Sequence, residues 1–253
     1  MKRNNHILIT STLCLSILSG CAGQAASTAQ PANGVIMTIP SPEVEFVDSA
    51  DSLEELIAAS DLIAEVTVAE TDFRISSTSK QIYTKITPEI KKVYKGSFED
   101  AVLELTGGYA DYTTYTDAVS YELDSEHTEG ERKSALVYAD WCNTYIPTVG
   151  DTLLFFGKYT NDDTYTLTNG YQGMFRLEGD RWTNQALIID DKGWQEPLAT
   201  DLLSLPGAEA AAPDDADTFT SDGITYSKPQ STYETVVSVP KETLAALIDE
   251  TCA

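Results

Sequence analysis

Leu153-Leu154-Phe155-Phe156 sits inside the strand-length segment Thr152–Lys158. Successive side chains of a strand point to opposite faces, so four large apolar residues in a row need cover on both. Such a strand is central, and the rest of the chain must supply its two apolar layers. The candidate neighbours carry one apolar face each. Leu62, Ala64, Val66 and Val68 alternate with Ile63, Glu65, Thr67 and Ala69, the period of a half-buried strand. From Gln81 to Tyr94, Ile82, Ile86 and Ile90 share a face while Val93 falls on the other parity. A one-residue slip of that kind predicts a bulge near Pro88–Lys92, and Pro88 itself suits a bulge or an edge. Gly96 ends this strand. Ala101–Thr106 follows and stops at Gly107-Gly108.

Further along, Tyr165–Thr168 predicts another strand, and Phe175–Leu177 with Arg181-Trp182 a hairpin across Glu178-Gly179-Asp180. Ile224–Tyr226 and Tyr233–Val239 predict late strands. Ser52-Leu53-Glu54-Glu55 is a capping box, and the stripe of Leu53, Leu56 and Ile57 predicts a helix over Leu53–Ala59. Pro240 is placed at the N1 position of a final helix striped by Leu244, Leu247 and Ile248, ending near Glu250. Between the third and fourth barrel strands lies Tyr109–Thr148, 40 residues without sustained periodicity. That is too long for an ordinary connection. It holds six of the 13 tyrosines, with Trp141. The expected fold is mainly β: an OB-like five-stranded barrel entered by a short helix, with an insertion over 109–148 and a C-terminal helix.

The ends have a different character. After Lys2 and Arg3, the apolar run Ile7–Leu18 is 12 residues long, short of the roughly 20 that cross a bilayer and suited to a secretory segment. It leads into Leu18-Ser19-Gly20-Cys21, which resembles the lipobox of bacterial lipoproteins. The resemblance implies cleavage before Cys21 and a diacylglycerol on its thiol. The expected organisation is a signal peptide over 1–20, a flexible tether over 21–50 rich in Ala, Ser, Thr, Gln and Pro, the barrel over 51–206, and a linker, late strands and helix over 207–253. The protein is then anchored to a cell membrane through Cys21, facing the extracytoplasmic side.

Composition removes several functions. Forty acidic residues stand against 16 cationic ones, a formal net charge of −24. Such a chain repels nucleic acid and anionic lipid, so neither is an expected partner. His127 is the one histidine outside the signal, in the acidic turn Ser125-Glu126-His127-Thr128-Glu129-Gly130. A zinc site built on two or three histidines cannot form, and a Ser-His-Asp triad would need His127 itself. No phosphate loop, dinucleotide fingerprint, nucleophile elbow or zinc-protease motif occurs, and no cofactor or metal is expected. Asp162-Asp163, Asp190-Asp191 and Asp214-Asp215-Ala216-Asp217 lack EF-hand spacing and read as solvated turns. In an oxidising compartment Cys142 and Cys252 are expected to pair, the alternative being two thiols.

The strings Asp61-Leu62-Ile63, Val93-Tyr94-Lys95-Gly96, Gly150-Asp151-Thr152-Leu153-Leu154-Phe155-Phe156 and Asn169-Gly170-Tyr171-Gln172-Gly173-Met174-Phe175 resemble a group of uncharacterised bacterial lipoproteins common in Gram-positive bacteria. The resemblance covers roughly residues 52–182 and carries no catalytic residues. More distantly, the strand layout is similar to the netrin-like barrel of the metalloproteinase inhibitors. Their inhibitory N-terminal cysteine corresponds here to a lipidated Cys21 on a long tether, so the analogy extends to the fold alone.

Two functions compete. One is a binding module for a protein or carbohydrate, with Tyr112, Tyr115, Tyr121, Tyr138 and Trp141 as candidate ligand-binding aromatics; the bland alternative is that these rings cover barrel surface. The other is a hydrolase with two carboxylates, recognisable by a deep pocket holding a buried, hydrogen-bonded pair. Lys80, Lys85, Lys91, Lys92 and Lys95 form a basic stripe, expected to pair with neighbouring acids and guard a strand edge.

Overall fold

The computed structural model of the chain describes residues 33–34, 36–39, 49–98, 102–119, 127–139, 141–142, 144–160, 163–188, 196–212, 218–221, 224–227 and 235–253. Cys21, Tyr121 and the expected signal segment lie outside them. The chain runs through β1 (Asn33–Gly34), β2 (Ile36–Ile39), α1 (Leu53–Ala59), β3 (Leu62–Ile75), β4 (Ile82–Lys95) and β5 (Val102–Thr106). The insertion holds β6 (Gly108–Asp111), α2 (Tyr112–Val119), α3 (Glu129–Lys133) and β7 (Leu136–Ala139). Then come β8 (Thr152–Tyr159), β9 (Thr164–Leu167), β10 (Met174–Glu178), β11 (Arg181–Ile188) and α4 (Pro197–Leu203). The last elements are β12 (Glu209–Ala211), β13 (Thr218–Ser221), β14 (Ile224–Ser227), β15 (Val236–Pro240) and α5 (Lys241–Cys252). Among the described residues no helix is long and apolar enough to cross a membrane.

The fold is mainly β around a closed five-stranded barrel. Strands β8, β3, β4, β5 and β9 are neighbours in that order, and β9 pairs back onto β8. Numbered one to five along the chain, the barrel strands are ordered one, two, three, five, four, with three and five parallel. This is OB-like wiring, and the insertion occupies the connection between strands three and four. Beyond β8 the sheet continues through β10, β11, β15 and β12.

β8 explains its own sequence. Leu153 and Phe155 face the barrel interior with Leu62, Ala64, Val66, Val68, Ile86, Leu103 and Leu105. Leu154 and Phe156 face a second core with Ile63, Phe175 and Trp182, roofed by Leu53, Leu56 and Ile57 of α1, Leu198 and Leu202 of α4, and Leu244 and Ile248 of α5. Each fully buried aliphatic or Phe side chain here contributes about 1.5–3 kcal/mol.

Local signals place most of this. Ser52 caps α1 by accepting from the Glu55 amide at 3.2 Å. The Glu55 carboxylate reaches back to the Asp51 amide at 2.8 Å, one residue beyond the expected partner. Gly96 ends β4 at φ +80, where a Cβ would lie 2.2 Å from the Asp61 carbonyl oxygen, so only glycine fits. The expected bulge lies at Lys91, skipped between the pairs Glu65↔Lys92 and Val66↔Ile90. A further bulge at Ala69, between Val68↔Pro88 and Glu70↔Thr87, was not expected. Pro240 is the N-cap of α5 and not its N1 residue.

Two expectations are corrected. The tether over 21–50 is not uniformly loose: β1 pairs with β14, β2 pairs with β7, and Ala50 is buried. The described residues of 109–148 include regular elements: β6 and β7 form a sheet with β2, and α2 packs Tyr112 and Tyr115 into a third core with Ile82, Ala110 and Val137.

Candidate functional site

The Ala69 bulge decides what the barrel shows to solvent. Before it, even-numbered residues of β3 point inward. The extra residue flips the parity, so Phe73 and Ile75 turn to the third core while Arg74 emerges on the outer face opposite Tyr83. Glu104 of β5 points outward between Leu103 and Leu105, which are buried inside. Arg74 Nε and Nη2 donate to the two Glu104 oxygens, each at 2.6 Å. The guanidinium lies 4.0 Å from the centre of the Tyr83 ring. The Glu104 side chain is 7% exposed and that of Arg74 41%. The carboxylate is thus a buried clamp, and the guanidinium the presented group. Lys85 stands beside Glu104 in the register, and Thr166 of β9 on its other side.

A second aromatic group lies at one end of the barrel on the inward-facing side, since Tyr165 pairs with the inward Leu103 and not with Glu104. Phe98 stacks on Tyr165 at 6.4 Å, and Tyr159 meets Tyr165 edge-on at 5.4 Å. Tyr165 packs against the barrel core and its hydroxyl donates to the Ser97 carbonyl at 3.1 Å. Tyr159 is half-exposed, its hydroxyl donating to Asp163 Oδ1 at 3.1 Å. The turns at the two ends, between β3 and β4 and between β8 and β9, are those that flank the binding face of OB barrels.

A second polar group gathers at the start of β8. Asp151 Oδ2 accepts from the Tyr145 hydroxyl at 2.8 Å and the Thr148 amide at 2.7 Å. Arg176 lies 3.6 Å from Asp151 and from Glu178, with its guanidinium 4.5 Å from the Tyr145 ring centre. Burial pushes the Tyr145 hydroxyl well above its ordinary pKa, with Asp151 adding to the shift. These carboxylates share one arginine, beside a tyrosine that packs against the barrel core.

A third polar group lies under the helical roof. Gln172 is fully buried; its Nε2 donates to the Ala50 carbonyl at 3.0 Å and to Glu196 Oε1 at 3.1 Å, and its Oε1 accepts from the Ala50 amide at 2.8 Å. The Tyr171 hydroxyl donates to the same Glu196 oxygen. Glu196 Oε2 is buried with no hydrogen-bond partner among the described residues. Burial holds the Glu196 carboxyl above the usual range, against the pull of the Tyr171 and Gln172 bonds, and Asp51 raises it further.

The aromatics singled out from sequence are dispersed. Tyr112 and Tyr115 are 6% and 4% exposed, so they are core residues and not a platform. Tyr138 is half-buried and stacks on Tyr109 at 4.9 Å. Trp141 is half-buried beside Gly107, its Cβ 3.0 Å from where a Gly107 Cβ would lie. Tyr121 falls outside the described residues. Cys142 and Cys252 form no disulfide. Cys142 sits at φ 51, while Cys252 closes α5 beside Glu54, Ile57, Ala58 and Lys95. His127 immediately precedes the Thr128 cap of α3.

The lysine stripe is largely committed to neighbours. Lys91 pairs with Glu89 at 2.7 Å, Lys92 with Asp249 at 2.7 Å, and Lys95 donates to the Ile57 carbonyl at 2.7 Å. Among the described residues no three metal-ligating side chains gather. Sequence reasoning missed Arg74, Tyr83 and Glu104. Their signal was the parity change from Val68 to Phe73 and Ile75.

No family model and no curated protein matches this chain.

Proposed function

We propose that this protein is a lipid-anchored extracytoplasmic binding module that engages a protein or carbohydrate ligand along the outer face of β4 and β5. The observation that carries the reading is Arg74, gripped at two points by a buried carboxylate and stacked on Tyr83. A donor held in this way loses little conformational entropy on binding, so its contact with a ligand oxygen counts nearly in full. Its Nη1 is left over from the Glu104 clamp, because only Nε and Nη2 are used there. Tyr83 supplies aromatic surface beside it on the same face. The local cation sits on a chain of net charge −24, which favours ligands with neutral or isolated anionic oxygens over polyanions. The membrane anchor rests on the lipobox residues Leu18-Ser19-Gly20-Cys21.

Both halves are testable on the full-length protein. Envelope material cross-linked to the parent and identified by mass should be lost in Arg74→Met and in Tyr83→Ala, and retained in Tyr138→Ala. Retention in both β4–β5 face variants would refute the site. Cys21→Ala should leave an uncleaved precursor or release the protein from the membrane fraction. A variant that still fractionates as an acylated mature species would refute the anchor.

A further inference from the structure

We infer that the edge of β7, with Tyr226 as a clasp, is a docking site for the chain's own tether, and that docking sets how far the barrel stands from the membrane. The membrane half of this inference rests on the lipoprotein reading above.

The tether enters the structure twice. Residues Ile36–Ile39 add a parallel strand to β7, in the register Ile36↔Leu136, Met37↔Val137, Thr38↔Tyr138 and Ile39↔Ala139. Met37 and Ile39 pack against the third core. Just before them, Asn33 and Gly34 pair with Thr225 and Tyr226 of β14. This is strand addition, in which main-chain bonds hold the segment and side-chain contacts fix its register.

Tyr226 makes the arrangement specific. Its side chain is 3% exposed and its hydroxyl donates to the Ser134 carbonyl at 2.9 Å. The ring lies directly against Gly34. A Cβ built there would fall 2.0 Å from Tyr226 Cε1 and 2.3 Å from Cδ1. A ring that is buried and tied at its far end cannot yield cheaply, so glycine is required for packing and not for backbone conformation. The tether passes beneath a tyrosine that fits it only because one residue has no side chain.

The docked segment is also separable from the fold. It is four residues long, parallel and at a sheet edge, and three of its side chains are half-exposed and one exposed. None of its residues belongs to the barrel interior or the helix-covered core. Local opening of such an edge lies at the low end of the stability range.

Docking changes reach. From Cys21 to Asn33 the chain takes 12 steps, and at about 3.4 Å per residue these extend at most ~40 Å. With the clasp open, the run from Cys21 to Ser49 takes 28 steps and extends at most ~95 Å. The bound face would move from one reach to the other without any change in the barrel.

The test is hydrogen exchange on the full-length protein, parent against Gly34→Ala. The parent should show protected amides at 36–39. The variant should lose protection there by about tenfold or more while β8 amides stay unchanged. If β8 also loses protection, Met37→Ser/Ile39→Ser, which leaves Tyr226 untouched, replaces it with the same expectation. Neutron reflectometry on a supported phosphatidylcholine bilayer carrying the acylated protein should show the variant's protein layer extending farther outward than the parent's. Unstructured exchange rates at 36–39 in the parent, unchanged exchange in both variants, or an unchanged layer after docking is lost would overturn the inference. Protein that never anchors to the bilayer counts against the lipid reading instead, and the exchange result still decides the clasp.

Discussion

Replacing Arg74 by Met tests whether Glu104 is a clamp. The pair is asymmetric, because Glu104 is 7% exposed and Arg74 41%. Breaking a fully buried ion pair from one side costs about 3–5 kcal/mol, most of it the burden of the charge left behind. Here the departing side chain was half in water, and its loss lets solvent approach the carboxylate. The expected cost of Arg74→Met is therefore about 2 kcal/mol. The reciprocal change, Glu104→Leu, leaves an arginine that can swing outward, and should cost about 1 kcal/mol. The double variant Arg74→Met/Glu104→Leu buries no charge and should lie within about 1 kcal/mol of the parent. For a domain of this size 1 kcal/mol moves Tm by about 2–4 °C, so Arg74→Met should melt about 4–8 °C below the parent. Urea titration of all four proteins gives the cycle directly. Equal costs for the two single changes, or a double variant as unstable as their sum, would show that Glu104 does not hold Arg74.

Three further outcomes are expected. Glu196 has a folded pKa raised by burial, so the native state holds its proton more tightly than the unfolded chain. Its stabilisation is therefore full at low pH and lost as pH rises through the folded pKa; Glu196→Gln should gain Tm relative to the parent as pH rises above the ordinary carboxyl range, and a pH-independent difference would refute this. Tyr115→Ala should cost about 3–5 kcal/mol by emptying the third core, whereas a near-neutral result by urea titration would mean that the ring is not buried in solution. Cys142 and Cys252 should both alkylate without reductant, and an intact mass two hydrogens short with neither thiol modified would establish the disulfide instead.

The barrel was legible because closure imposes one apolar face on each strand, and alternation records it at Leu62–Val68 and at Ile82–Ile90. The apolar run in β8 announced a second layer, although not which helices form it; α4 was passed over despite the spacing of Leu198 and Leu202. The candidate site was not legible. Composition cannot distinguish a tyrosine that presents its ring from one that buries it, so the sequence does not separate Tyr112 and Tyr115 from ligand contacts. Arg74 and Glu104 are 30 positions apart, joined only by the sheet register and by a bulge whose position was not inferred. The docking of Ile36–Ile39 on Leu136–Ala139 is likewise a pairing across about a hundred residues, which local periodicity does not encode.

β8 has one more consequence. Its two faces belong to different interiors, Leu153 and Phe155 to one and Leu154 and Phe156 to the other. No cut through the molecule separates the barrel from its helical roof without splitting this strand. Heat or denaturant should therefore remove both in one transition, with tryptophan fluorescence from Trp182, in the core beneath the roof, and far-ultraviolet dichroism from the barrel changing together. For the same reason the two interiors are not free to drift independently under substitution. A change of volume at Phe155 shifts the backbone that positions Phe156, so the permissible residues on one side of the strand depend on those chosen for the other.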